Sequence, residues 1–271
     1  MIAVPECMAG FLENAGVERM PSGFSGSEIY IIRPNDGKND GNFYLKHMPD
    51  DMFGALRREA EVMRWLRGVL PVPEAVCFRS ENSAGWLLTA EIPGESFARA
   101  LDAEPRALVR TYAGALRRVH EVSPDGCPFD ESNAVKTRNA LKRCEAGLVK
   151  PEYFREDRQK LGVAGIKELL LRTPPPEEDF VFTHGDYCFP NVIRNNGQLS
   201  GYVDLSAAGA ADRYQDAAIG ARSVYFNMRR VRGLGAESAR ELADCFLRDY
   251  GLNRPDMQKM EYYQLLDDFF R

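Results

Sequence analysis

The first third of the chain is written in short runs rich in β-branched and aromatic residues. "SEIYIIRP" (27–34) and "NFYLKHM" (42–48) read as strands, and "NDGKNDG" between them is a turn signal, so the pair predicts a hairpin. The period then changes. Through "MFGALRREAEVMRWLRG" (52–68) Leu56, Met63 and Leu66 recur at helical spacing, and Gly68 with "LPVP" ends the helix because proline cannot continue it. "EAVCFRS" (74–80) and "GWLLTAE" (85–91) form a second predicted hairpin. Beyond "IPGESF" the pattern turns helical. "EPRALVRTYAGALRRVHEV" (104–122) carries Pro105 in its first turn, and further helices are expected over 131–146, 157–172, 213–230, 236–250 and 255–270. One β interruption stands out, two short strands around Asn-Asn-Gly in "NVIRNNGQLSGYVDL" (191–205). The pattern predicts an α+β, bilobal chain: a small β-rich lobe over 1–92 and a larger helical lobe over 93–271.

Composition narrows this modestly. The 271 residues are 44% hydrophobic and 28% charged, an ordinary globular mix, with a net charge of −5. An acidic surface argues against nucleic acid or an anionic membrane as the main partner and leans towards a cationic ligand. The six cysteines, Cys7, Cys77, Cys127, Cys144, Cys188 and Cys245, show no CxxC pair and are expected as reduced thiols in the cytoplasm. The opening "MIAVPECMAGFLENAG" has no basic n-region and does not read as a signal peptide, and no apolar run approaches a membrane span.

The candidate chemistry sits in "FVFTHGDYCFPNVI" (180–193), where His184, Asp186 and Asn191 lie in an apolar setting. Burying such groups without partners costs several kcal/mol, so they pair with one another or hold a ligand. Asp204 follows eighteen residues after Asp186, at the far end of the hairpin, which is expected to fold the chain back towards Asn191. An Asn amide oxygen and an Asp carboxylate suit Mg²⁺, which takes oxygen ligands together with phosphate and water. Asp186 is then left to meet a substrate hydroxyl. The spacing resembles the His-x-Asp-x-x-x-x-Asn catalytic loop of protein kinases with its later metal-binding Asp. Such an enzyme also needs a strand lysine and a helix glutamate. Lys46 lies in "NFYLKHM", and Glu59, three after Leu56 and four before Met63, falls on the buried helix face, where a carboxylate requires a partner. "GFSGSEIY" (23–30) is a turn whose N–H groups can face phosphate.

Over nearly its whole length the chain resembles the aminoglycoside 3′-phosphotransferases of the kinase-like antibiotic-resistance family. The segments "REAEVMRWLRGVLPVP", "FVFTHGDYCFPNVIRNNGQLSGYVDL", "ADRYQDAAIGARS" and "YYQLLDDFF" carry the likeness in order. The resemblance implies a protein-kinase-like fold, ATP or GTP as phosphate donor, Mg²⁺, and an aminoglycoside as acceptor, in a protein that is a monomer or weak homodimer. It implies Asp186 as the catalytic aspartate, Asn191 and Asp204 as magnesium ligands, and Lys46, oriented by Glu59, on the α- and β-phosphates. Ser25 would reach the β-phosphate, the Ala90 carbonyl and Ile92 amide would take adenine, and Arg222 would be an active-site cation. Aminoglycosides carry several ammonium groups, so carboxylates should receive them. Glu156 and Asp157 in "PEYFREDRQ", and Asp267 and Asp268 before the end, are the expected acids. The chain departs from the family in reading Asp-Leu-Ser-Ala at 204–207, with Ala207 where relatives commonly carry arginine, and in ending on Arg271. Three rivals stand beside this reading: a kinase for another small cationic or sugar substrate, a nucleotide-binding pseudoenzyme, and a metallohydrolase built on His184 and Asp186. The last suffers from having three histidines far apart in sequence.

Overall fold

The computed structural model describes residues 4–21, 27–35, 41–51, 53–100 and 103–270. The chain divides into two compact units. The first is residues 1–94 with 200–207, and the second is 95–199 with 208–271.

The first unit is built on a five-stranded antiparallel sheet in the order β1-β2-β3-β5-β4. Its strands are β1 (Ala15–Arg19), β2 (Glu28–Pro34), β3 (Phe43–Met48), β4 (Ala75–Glu81) and β5 (Ala84–Ala90). Both predicted hairpins form. Because side chains alternate across a strand, neighbouring residues serve opposite faces. Leu45 and Leu88 turn to the face that packs Met8 of α1 (Glu6–Leu12). Leu87 turns to the other, against Leu56 and Ala60 of α2 (Ala55–Trp65). The sequence reading did not place α1 or β1. Nor did it pair Cys7 with Cys77. The expectation of six free thiols is corrected here, since a disulfide joins α1 to β4 across 70 residues of sequence, while Cys127, Cys144, Cys188 and Cys245 are free. Sequence spacing does not report spatial approach, and α1 lies on the sheet.

The second unit is mainly helical. It begins with β6 (Glu95–Ser96) and continues through α3 (Pro105–His120), α4 (Asn133–Glu145), α5 (Gly162–Arg172), β7 (Phe180–Thr183) and β8 (Val192–Asn195). β9 (Gln198–Tyr202), the second strand of the predicted hairpin, passes into the first unit at Ser200, and the second unit resumes with β10 (Gly209–Asp212), α6 (Arg213–Phe226), α7 (Ala236–Tyr250) and α8 (Met257–Asp267). β7 pairs antiparallel with β10. The helix expected from 157 starts only at Gly162, after a tight turn over Gln159–Leu161. The one expected to run to 230 loosens into a π turn at Asn227–Val231. α6 is the central helix, buried on nearly every side from Tyr214 to Val224, which is why it lacks a clean amphipathic stripe. An aromatic core of Phe97, Tyr112, Tyr187, Phe189 and Phe246 packs nearby, with reciprocal bonds from the Tyr112 hydroxyl to the Tyr187 carbonyl (2.9 Å) and from the Tyr187 hydroxyl to the Tyr112 carbonyl (2.6 Å). Among the described residues no helix is long and apolar enough to cross a membrane.

Candidate active site

The Lys46 cluster lies in the first unit. Lys46 follows Leu45 in β3, so it turns to the α2 face of the sheet, and its register partner in β5 is Leu87, which packs on that helix. Glu59, buried on α2, therefore meets it, and Lys46 Nζ donates to Glu59 Oε1 at 2.6 Å. The same ammonium donates to Asp204 Oδ1. Burial pushes the Lys46 ammonium down, but the charges of Asp204 and Glu59 more than offset it and hold the group above the ordinary lysine value. The lysine is thus permanently cationic, the state that binding phosphate requires.

Asp204 itself stands in the left-handed region at φ 63°, unusual for a residue with a Cβ. The Glu59 carboxylate accepts the next N–H, that of Leu205, which helps hold the turn. Upstream, the Tyr202 N–H donates to the Pro71 carbonyl at 3.0 Å. A Cβ on Gly201 would lie 2.6 Å from that carbonyl and 2.5 Å from Ile92 Cδ1, so only glycine lets the strand lie this close. Ala90 ends β5, its N–H bonded to the Glu74 carbonyl, and Glu91 N–H reaches the Asn42 carbonyl, both at 3.0 Å. Ile92 follows as the first residue past this pinned segment. Ser25 and Arg271 lie outside the described residues.

The loop of His184, Asp186 and Asn191 belongs to the second unit. β7 delivers the chain into the loop at His184. Asp216, fully buried on α6, accepts the His184 N–H (2.6 Å) on one oxygen and the Gly185 N–H (2.8 Å) on the other. His120 Nε2 lies 3.1 Å from Asp216 and its Nδ1 2.7 Å from the Tyr250 hydroxyl. Burial pushes the Asp216 carboxyl up, but the His120 hydrogen bond, the charges of both histidines and the backbone donors outweigh it, so it is held below the usual carboxylate range. Sequence reasoning missed this residue as a site element. The available signal was a charge inside "YQDAAIGA", a run with no polar face to carry it to water.

Gly185 takes φ 83°, the turn that brings Asp186 out half-exposed. Asn191 Nδ2 donates to the Asp186 backbone carbonyl (3.0 Å) and to its Oδ2 (2.9 Å). That orients the carboxylate and leaves the Asn191 amide oxygen as the atom suited to a hard cation. The Asn191 amide in the second unit and the Asp204 carboxylate in the first each offer oxygen, the donor type that Mg²⁺ takes together with phosphate and water. Among the described residues no three His, Cys, Asp or Glu side chains gather as a metal site of their own.

Of the expected substrate acids, Asp267 at the end of α8 pairs with Arg222 of α6, Oδ2 to Nη1 at 2.5 Å, so the structure brings together two residues assigned separate roles. Asp157 is exposed but bonded through both oxygens to Arg155 (2.6 and 2.7 Å), and Arg155 also clasps Glu261 of α8. Glu156 beside it is exposed. Asp268 corrects the reading of its role. It is 1% exposed, accepts Arg158 Nη1 at 2.8 Å and the Arg155 N–H at 3.2 Å, and so ties the 155–158 loop to the C-terminal helix. Asp267, about 100° away around the helix end, turns instead to Arg222.

The comparisons agree with this geometry. The model of the phosphotransferase enzyme family (APH) matches residues 16–263. An aminoglycoside 3′-phosphotransferase of Niallia circulans is 34% identical over 249 residues, 92% of this chain and 90% of that protein. One from Escherichia coli is 32% identical over 252 residues, 92% and 88% of the two chains. Among solved structures, an aminoglycoside-3′-phosphotransferase of type VIII superposes with a TM-score of 0.82 at 28% identity, covering 98% of this chain and 100% of the other. The phosphotransferase APH(3″)-Id of Streptomyces rimosus, in complex with ADP and streptomycin, gives 0.75 at 25% identity over 92% and 94%. The expected kinase-like α+β fold is the fold of these relatives, and with a family model spanning residues 16–263 and the lysine, glutamate and aspartates placed as described, the chain belongs to the phosphotransferase enzyme family.

Proposed function

We propose that the protein transfers the γ-phosphate of ATP or GTP to the 3′-hydroxyl of kanamycin- and neomycin-type aminoglycosides and so confers resistance to them. The observation that carries the reading is Asp186, a carboxylate presented half-exposed on a loop whose preceding N–H groups are held by a buried aspartate and whose side chain is oriented by Asn191. Such a group accepts a proton from a substrate hydroxyl as it attacks phosphorus. Lys46 holds the α- and β-phosphates, with Glu59 fixing its position, and the 90–92 segment receives the adenine through the Ala90 carbonyl and Ile92 amide. Asn191 and Asp204 would hold Mg²⁺, which would neutralise phosphate charge. Arg222 adds positive charge near the acceptor side, where Ala207 has none to offer. Glu156, Asp157 and Asp267 receive the substrate's ammonium groups, and Asp268 acts only through the loop it anchors. Catalysis then rests on positioning and charge stabilisation. We place the enzyme in the cytoplasm, as a monomer or weak homodimer.

The relatives named above support this acceptor class, and the streptomycin and ADP in one neighbour support the pairing of aminoglycoside with nucleotide. The test is ADP release across an acceptor panel. Kanamycin should be phosphorylated, and tobramycin, which lacks the 3′-hydroxyl, should not. Phosphate found by NMR elsewhere on kanamycin defeats the 3′ assignment, and turnover only with unrelated alcohols defeats the acceptor class.

A further inference from the structure

Within the stretch Asp212–Asp216, four residues have clear partners. Asp212 caps α6 and pairs with Lys259, Arg213 pairs with Asp179, the Tyr214 hydroxyl takes the Asp256 N–H, and Asp216 holds the catalytic loop. Gln215 differs. It is 3% exposed, and neither Oε1 nor Nε2 has a hydrogen-bond partner. The hydroxyl of Tyr263, on α8 and 2% exposed, is likewise buried and makes no hydrogen bond of good geometry, with the Asn133 side chain as its polar neighbour. Buried polar groups in native proteins are almost always satisfied, and bound water is the usual partner where protein atoms do not serve.

Both residues line one small cavity, together with Ile219, Leu266, Asp267 and Lys136, and its volume of ≈ 10 Å³ for a water's centre is room for a single molecule. The chemistry of the lining selects a neutral species that both donates and accepts. A carboxamide and a phenol each do both, while the Lys136 ammonium is a donor and the Asp267 carboxylate an acceptor. Gln215, Ile219 and Arg222 are at i, i+4 and i+7, so they form one stripe on α6, facing Tyr263, Leu266 and Asp267 on α8. The cavity and the Arg222–Asp267 pair therefore share a wall.

We infer that this cavity binds one water molecule between Gln215 and Tyr263, and that Gln215 is, through it, a positioning residue for Asp267 and hence for Arg222. The water bridges the α6 amide to the α8 side of the pair, holding the carboxylate where it can meet both Arg222 and a substrate cation. The positioning part rests on the proposed aminoglycoside reaction, while the water site does not.

Two measurements separate them. A crystal structure of the full chain should show an ordered water within hydrogen-bond distance of Gln215 and the Tyr263 hydroxyl, and a well-defined map without one overturns the site. In kinetics, Gln215→Leu and Tyr263→Phe should each raise KM for kanamycin about tenfold, the loss expected for one well-placed hydrogen bond, with KM for ATP unchanged. Since both act through one water, the double variant should be no worse than the more impaired single. Tyr263→Phe removes only a hydroxyl and so keeps the test open where Gln215→Leu fails to fold. Unchanged KM values, or singles whose effects multiply, overturn the positioning role. A wild type that turns over no aminoglycoside sinks the proposed function and the positioning role with it, while the map still decides the water.

Discussion

Asp216→Asn is the perturbation that probes most directly how the catalytic loop is held. The carboxylate is fully buried and accepts two backbone N–H groups, at 2.6 and 2.8 Å, and the His120 imidazole at 3.1 Å. Asparagine has nearly the same shape but one acceptor oxygen and one NH₂. Whichever way it turns, either His184 N–H or Gly185 N–H faces another donor. A hydrogen bond to a charged group contributes about 1.5–3 kcal/mol, and a buried donor left unmatched costs about 1–3 kcal/mol, so the variant should lose roughly 3–5 kcal/mol. Urea unfolding followed by tryptophan fluorescence and far-UV circular dichroism measures this. Because the freed N–H groups belong to the two residues before Asp186, kcat should fall even at temperatures where the variant is folded. The pH dependence has a definite sign. The folded carboxyl titrates below its unfolded value, so its stabilisation is complete above about pH 4 and is lost as pH falls through the lower folded value. The gap between wild type and variant should be flat at neutral pH and shrink on acidification below about 4. A loss under about 1 kcal/mol would refute the reasoning, since two charge-assisted bonds cannot be that weak in a buried site.

Three further outcomes are expected. Glu59→Gln leaves Lys46 with one carboxylate partner inside the first unit, so KM for ATP should rise several-fold with KM for the acceptor unchanged, and the reverse pattern would misplace the pair. The Cys7–Cys77 bridge closes a loop of 70 residues, for which chain entropy predicts a contribution of up to about 4 kcal/mol; reductant, or Cys7→Ala, should lower the melting temperature, and identical melts with and without dithiothreitol would show the bridge contributes nothing. Asp268→Ala leaves the buried Arg158 guanidinium with Glu261 as its remaining partner and should destabilise the second unit by about 1.5–3 kcal/mol, the contribution of a hydrogen bond to a charged group, whereas Asp157→Ala, at an exposed pair, should cost under about 1 kcal/mol by the same melts. Equal losses in the two variants would mean that burial does not divide them.

What the sequence by itself determined was local. Strand and helix periods and the Asn-Asn-Gly hairpin depend on residues within a few positions of one another, and most of these elements form near where the pattern puts them, the late start at Gly162 and the π turn at Asn227–Val231 apart. Glu59 was also legible, because a carboxylate on a buried helix face must have a partner, and a strand lysine was at hand. Its second neighbour, Asp204, arrives from 158 residues away, and no period reports that. The rest was decided by tertiary packing. Asp267 and Asp268 are adjacent and chemically alike, yet one reaches Arg222 and the other is sealed in with Arg158, because the end of α8 turns one inward and one towards α6. Asp157 is an acid in the expected loop, and Arg155, two residues earlier, holds both its oxygens. Cys7 meets Cys77 only because α1 lies on the sheet. In each case the deciding quantity is the distance between side chains far apart in the chain, or the side of an element that burial selects, and a linear pattern carries neither.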